Sequence, residues 1–259
     1  GDAVERLRTL VEATRREVPG VSVGITGEPV LEFDEMAQSQ VDTTVATVVA
    51  LVLVLFVFIY GYSETGRPLK ANACLIVGLV YTMGYTTLTV GHLNILTITF
   101  APMLVGLAID FGAHLVARFE EELRHGKSER EAIRLAMVNT GQGIFTGAAT
   151  TSAAFFAMGI TDFKGIQEMG IIAGGGLIVC LIPMMTLLPV LLLRGKQNII
   201  DHVVPPIDRR ERIERIWSNR PGAVLGVTVA LCALSVAKFD SVHFDYNLLN
   251  MQSEGLPAV

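Results

Sequence analysis

Charge is scarce in this chain: Asp, Glu, Lys and Arg together make up only 17% of 259 residues, while 51% are hydrophobic. Mean hydropathy is +0.51. A soluble chain of this length rarely has that balance, and the apolar residues are gathered in blocks near the length that spans a bilayer. Cysteine is also rare. Cys74, Cys180 and Cys232 all fall inside apolar runs, which points to packing and gives no disulfide framework or metal spacing. No phosphate loop, no nucleophile beside a base and no metal cluster occurs at workable spacing, so nothing argues for an enzyme. The formal net charge of -5 gives no reason to expect nucleic acid as a partner. The chain opens on Gly1 with a charged, amphipathic stretch to Val18, without an initiator Met or an apolar leader. That opening suggests a fragment missing an earlier span.

What is present is a series of six apolar stretches: Thr43 to Tyr62, Asn72 to Val90, Ile95 to Ala117, Gly141 to Ile160, Ile166 to Leu193 and Pro221 to Ala237. Val45 to Tyr60 has no polar stripe, which separates it from the amphipathic helices of a soluble core. Most of the 20 basic residues lie in the segments after the first, third and fifth stretches, where Arg67, Lys70, Arg118, Arg124, Lys127, Arg130, Arg134, Arg194, Lys196, Arg209 and Arg210 occur. By the positive-inside rule these segments face the cytoplasm and both chain ends lie outside.

Outside the spans, Gly1 to Glu17 has near-helical spacing, Pro19-Gly20 makes a turn, and Val21 to Thr26 alternates as a strand, together resembling the tail of an α/β domain. Leu31 to Val41 is expected to continue as helix into the first span. Ser128 and Glu131 form a capping-box pattern before a short amphipathic helix at the inner surface, and a second such helix is expected from Asp208, with Ile213, Ile216 and Trp217 on its apolar side. The run Gly174-Gly175-Gly176, with Pro183 and Pro189, allows a kink or hinge in the fifth span.

One residue breaks the apolar pattern. Asp110 lies in the middle of Ile95 to Ala117, and no cation nearby in sequence is placed to neutralise it. A carboxylate at the centre of a span costs at least about 2.5 kcal/mol on insertion scales, so it marks ion or proton movement or pairing with another helix. Residues three and four apart share a helix face, which groups Gly106, Asp110, Ala113, His114 and Ala117. Asp110 is therefore the candidate proton carrier, with His114 one turn away as a weaker second. The fourth stretch is rich in small and hydroxylated residues. Gly143 and Gly147 have the small-xxx-small spacing that permits close helix contact, so these two and Gly106 are candidate helix-packing residues. Thr150 and Thr151 are candidate relay hydroxyls, although hydroxyls in spans commonly bond their own backbone.

The run GLAIDFGAHLVARFEEEL, from Gly106 to Leu123, resembles the fourth-span motif of the resistance-nodulation-division (RND) superfamily, particularly its MMPL-type members. Their pattern is Gly-x-x-x-Asp-Tyr followed by an Arg-Phe-Arg/Glu-Glu ending. PGVSVGITGEPVLEFDEM resembles that family's Pro-Gly-Val and Thr-Gly-x-Pro-Val pattern. The resemblance implies an α-helical membrane bundle, related to sterol-sensing domains, with truncated α/β porter-domain pieces at both ends. Residues 1–40 would end the first porter domain and form its connecting helix. Residues 41–193 would be spans two to six, 194–220 a cytoplasmic amphipathic linker, 221–238 span seven, and 239–259 the start of the second porter domain. It further implies a multi-pass exporter in the bacterial inner membrane, with both ends of this chain periplasmic. The driving force would be the proton gradient, without a cofactor, and Asp110 would match the proton-carrying aspartate. Phe111 departs from the family's commoner Tyr and removes a hydroxyl from the motif.

The partners implied are membrane lipid, the remaining half of the same transporter, whose tenth span carries the counterpart of Asp110, and further copies in a homo-oligomer. FDYNLLNMQSEGLPAV, with IDFGAHLVARF, is most like the group associated with hopanoid biosynthesis, which makes a hopanoid lipid the expected substrate. The competing expectations are a drug-efflux pump of the same superfamily, a non-transporting sterol-sensing-like lipid sensor, and a proton-driven auxiliary of protein export.

Overall fold

The computed structural model describes residues 2–18, 20, 23–62, 64–194 and 221–238. They are helical almost throughout: α1 (Asp2–Glu17), α2 (Glu28–Tyr62), α3 (Gly66–Thr89), α4 (Phe100–Arg124), α5 (Glu129–Ala157), α6 (Lys164–Leu192) and α7 (Pro221–Ala237), with single 3₁₀ turns at Thr97–Thr99 and Met158–Ile160. The chain divides into two compact units, the first containing α1 to α6 and the second containing α7. The amphipathic helix expected from Asp208 lies outside the described residues.

Among the described residues, five helices are long and apolar enough to cross a membrane: Glu28–Tyr62, Gly66–Thr89, Thr97–Arg124, Glu129–Ile160 and Lys164–Leu192. The sixth expected span corresponds to α7, which is apolar but only 17 residues long.

Short connections make α2 to α6 run alternately up and down. One end of this bundle carries the basic segments between α2 and α3 and between α4 and α5, and is called the basic end below. α6 is the central helix: 61% of its apolar stretch is buried, against none of that in α2. Leu75 of α3, Leu104, Leu115 and Phe119 of α4, and Ile172, Leu177, Met184 and Leu188 of α6 form the fully enclosed core. Val45, Val48, Val52 and Phe56 of α2 are exposed, a face suited to lipid.

Four sequence expectations meet the structure here. α2 is unbroken over 35 residues, about 50 Å at helical rise, and so carries Leu31 to Val41 directly into the apolar stretch. The Ser128 half of the capping box forms, with Ser128 Oγ accepting from the Glu131 N–H at 3.4 Å, while the Glu131 carboxylate lies 3.4 Å from Lys127 Nζ. The amphipathic segment behind it is not a separate helix, however. It is the first turns of the 29-residue α5, with Ala132, Ile133 and Ala136 buried. The expected strand is absent among the described residues, since Val23 to Thr26 is irregular and the Val23 carbonyl accepts from Arg15 instead. A strand needs a ladder partner, and no described residue provides one.

The Gly174–Gly176 run, expected to allow a kink or hinge, lies inside continuous helix and serves close packing. A methyl group on Gly176 would lie 2.6 Å from Thr82 Cγ2 and 2.8 Å from Leu104 Cδ1. On Gly175 it would lie 2.2 Å from the Tyr85 ring, and on Gly174 3.0 Å from the Ser152 carbonyl oxygen. From the other side of the seam, a methyl on Gly78 of α3 would lie 3.1 Å from the Cys180 Cα. Thr82, fully buried, donates to the Gly78 carbonyl at 2.9 Å and also lies 3.3 Å from the Gly176 carbonyl oxygen. Small residues let the two backbones approach, and the hydroxyl stays bonded within the seam.

Charged residues tie the bundle at both ends. At the basic end Arg67 Nη1 lies 2.9 Å from Glu120 Oε1 and 3.0 Å from Glu64 Oε2, with its guanidinium 5.6 Å from the Phe119 ring centroid. Arg124 reaches the second Glu120 oxygen at 3.1 Å, and Lys70 Nζ donates to the Arg194 carbonyl at 2.8 Å. At the opposite end the buried Glu168 of α6 accepts from Asn94 Nδ2 at 2.8 Å, while Asn94 Oδ1 accepts from the N–H groups of Leu96 and Thr97. The loop between α3 and α4 is thereby fixed to α6.

Candidate functional site

α4 and α5 leave a cavity of about 470 Å³ between them. On α4 its wall is Leu107, Asp110, Phe111 and His114, spaced three and four apart along one face. On α5 the wall is Asn139, Thr140, Gly143, Ile144, Gly147 and Thr151, and Leu177 of α6 reaches in from behind. The opposed pattern is an acid and an imidazole facing an amide, two hydroxyls and two glycines. The glycines matter because they add no side chain to the space: a methyl group on either Gly143 or Gly147 would meet no atom within 4 Å.

Asp110 and His114 are exposed on this face, while their neighbours Ile109, Gly112 and Leu115 are buried against the core. No hydrogen bond or ion pair reaches Asp110 among the described residues. Arg118, the next cation along α4, is engaged elsewhere: its Nη atoms lie 2.8 Å from Glu121 and 2.6 Å from Glu122. The carboxyl group of Asp110 thus remains open to whatever enters the cavity. No group of three or more His, Cys, Asp or Glu able to hold a metal occurs among the described residues.

The structure therefore brings Asp110, His114, Gly143, Gly147 and Thr151 to one place. It separates two others from them. Thr150 does not line the cavity, and its hydroxyl donates to the Thr146 and Gly147 carbonyls, 3.0 Å from each. Gly106 is exposed, with open space around it. A methyl on Gly106, Gly143 or Gly147 would meet no described atom within 4 Å, whereas Gly78, Gly112, Gly141, Gly165, Gly170, Gly174, Gly175 and Gly176 all face close neighbours.

Sequence reasoning missed Asn139 and Thr140. The signal was available: Asn139, Gly143, Gly147 and Thr151 recur every four residues, so the stripe that includes the two glycines extends one turn further toward the basic end. It also missed Tyr62, whose hydroxyl donates to the Ala113 carbonyl at 2.9 Å, within the turn that carries Asp110 and His114.

Comparison with known proteins places these features in a family context. Residues 1–230 match the model of the MMPL family. The chain is 30% identical over 250 residues to the hopanoid transporter HpnN of Rhodopseudomonas palustris, an alignment covering 93% of this chain and 28% of that protein. With the hopanoid transporter HpnN of Burkholderia multivorans it shares 29% identity over 240 residues, 90% of this chain and 26% of the relative. With the probable transport protein MmpL12 of Mycobacterium tuberculosis it shares 26% over 177 residues, 64% of this chain and 15% of the relative. The chain spans about a quarter of the length of the two hopanoid transporters it matches.

Proposed function

The chain belongs to the MMPL family, and from that premise we propose that it is the membrane segment of an RND-type exporter that uses the proton gradient to move a hydrophobic lipid. The observation that carries this reading is Asp110, unpaired among the described residues and facing a cavity lined by the polar and glycine stripe of α5. In this reading Asp110 takes a proton from one side of the membrane and releases it to the other. His114, one turn along α4, and Thr151, Asn139 and Thr140 across the cavity hold the water or hydroxyl chain through which the proton travels. Gly143 and Gly147 keep the space open for that chain. Because an ionised and a protonated carboxyl group interact differently with their surroundings, each proton transfer changes which arrangement of α4 and α5 is favoured.

The lipid proposed is a hopanoid, moved from the inner toward the outer membrane. Its support is the name of the two relatives aligned over nearly the whole chain, together with the likeness of the carboxyl-terminal sequence to that group. The protein is placed in the inner membrane of a bacterium, with both ends of the chain in the periplasm and the basic segments in the cytoplasm. Residues 1–40 and 239–259 belong in this proposal to porter domains, and the second half of the transporter supplies the counterpart of Asp110.

The test uses the full-length parent in proteoliposomes containing a labelled hopanoid, with an imposed pH gradient. Asp110→Asn is nearly the same size as aspartate but carries no exchangeable carboxyl proton. The expected result is that gradient-driven lipid movement in Asp110→Asn falls to the level seen without a gradient, while its thermal midpoint stays at the wild-type value. Equal movement by both proteins would make Asp110 a structural residue and favour a lipid sensor. Gradient-driven movement of a hydrophobic drug with hopanoid left in place would identify a drug-efflux pump.

A further inference from the structure

α2 touches two places that are far apart. Toward its outer end, the buried Asp34 pairs with Arg8 of α1, whose guanidinium also lies 6.0 Å from the Phe33 ring centroid. At its basic end, the last residue of the helix is Tyr62, whose Oη donates to the Ala113 carbonyl oxygen at 2.9 Å across a sequence separation of 51. Between these ends the helix is unbroken. Among the described residues the Tyr62 contact is the one side-chain hydrogen bond between α2 and α4.

The acceptor is well placed. Ala113 lies between Asp110 and His114, so its carbonyl belongs to the turn that presents both cavity groups. A carbonyl oxygen has two lone pairs, and Ala113 can accept the phenol while still serving the α4 ladder. The donor is held as well: the Tyr62 ring packs edge-on against Phe58, with centroids 5.6 Å apart at 65°. Ring packing alone would need only Phe at this position, so the hydroxyl is the part that reaches α4.

The geometry points to Tyr62 as a positioning residue that fixes the Asp110–His114 turn of α4 to the basic end of α2, so that movement of that turn is passed along α2 to its contact with α1. This inference rests on the reading of Asp110 as a proton carrier. Tyr62 bonds the backbone of the turn and not the carboxyl group, so its hydroxyl acts on coupling and not on proton transfer itself.

The deciding variant is Tyr62→Phe in the full-length parent, reconstituted in vesicles that hold a pH-sensitive dye and a labelled hopanoid, so that proton and lipid movement are read together. The expected result is that lipid moved per proton falls about fivefold, the effect of losing one neutral hydrogen bond, with dissipation of the gradient through the protein and the thermal midpoint both retained. Tyr62→Ala, which removes the ring as well, is expected to lower the ratio at least as far. A wild-type ratio in Tyr62→Phe overturns the inference, and if Tyr62→Ala alone is impaired the role of the residue is packing. A proportional fall in both fluxes also overturns it, because the ratio is then unchanged. If wild-type lipid movement does not respond to the gradient at all, the proton-carrier reading fails and this inference falls with it. If wild type responds, Asp110→Asn abolishes the response and Tyr62→Phe keeps the wild-type ratio, only this inference falls.

Discussion

α5 and α6 are both 29-residue helices rich in glycine, yet Gly143 and Gly147 of α5 do the opposite of the glycines of α6. On α6, Gly170, Gly174, Gly175 and Gly176 sit where neighbouring chains press in; a methyl on Gly170 would lie 2.4 Å from the Phe155 carbonyl oxygen and 2.9 Å from Met158 Cβ. On α5, Gly143 and Gly147 face open space beside Asp110. Close approach gives α6 its central position, with α3, α4 and α5 all packed on it. The missing side chains of α5 instead leave volume in which a carboxylate, an imidazole and several hydroxyls share a cavity. A glycine in a membrane helix therefore has no fixed meaning until the atoms opposite it are known.

Adding a methyl to each helix is the most direct way to break this comparison. Gly170→Ala meets a backbone carbonyl that cannot move without shifting α5, and it is expected to destabilise the protein by about 3 kcal/mol, read as a large fall in thermal midpoint in detergent. Thr82→Val tests the polar part of the same packing. Removing the hydroxyl that bonds the Gly78 carbonyl and lies beside that of Gly176 is expected to cost about 1 kcal/mol by the same assay, with no other change in fold. Gly143→Ala and Gly147→Ala are expected to change stability by less than about 0.5 kcal/mol, since their methyl groups meet nothing. Gly147→Leu sharpens the contrast: its thermal midpoint stays near that of wild type, while the filled cavity stops gradient-driven lipid movement in proteoliposomes. A large fall in midpoint for the α5 variants would instead mean that this face is packed.

Much of the cavity was legible because helical periodicity is local. Asp110 and His114 are four apart, as are Gly143, Gly147 and Thr151, and an α-helix puts such residues on one face whatever surrounds it. The Ser128 cap was legible for the same reason, since donor and acceptor lie within one turn. The Arg67–Glu120 pair was not, because 53 residues separate its members and either residue read alone is an ordinary charge near a span end. Thr150 and Thr151 are adjacent hydroxyls on one helix, and only the placement of α4 distinguishes the one that lines the cavity. The strand expected over Val21 to Thr26 is not formed at the described residues 23–26 for a related reason: alternation makes a segment fit for a sheet but does not supply the neighbouring strand.

The sequence by itself determined that this is a helical membrane protein, where its apolar stretches lie, and which single carboxylate is out of place in an apolar setting. Those properties follow from the bilayer length and the cost of burying charge, and all are written in neighbouring residues. Only the tertiary structure decided that α6 lies at the centre, that its glycines are contacts while Gly143 and Gly147 of α5 face space, and that the Tyr62 hydroxyl reaches the Asp110 turn. These depend on which helix faces which, and packing between residues far apart in the chain is a property of the assembled bundle rather than of any one stretch of it.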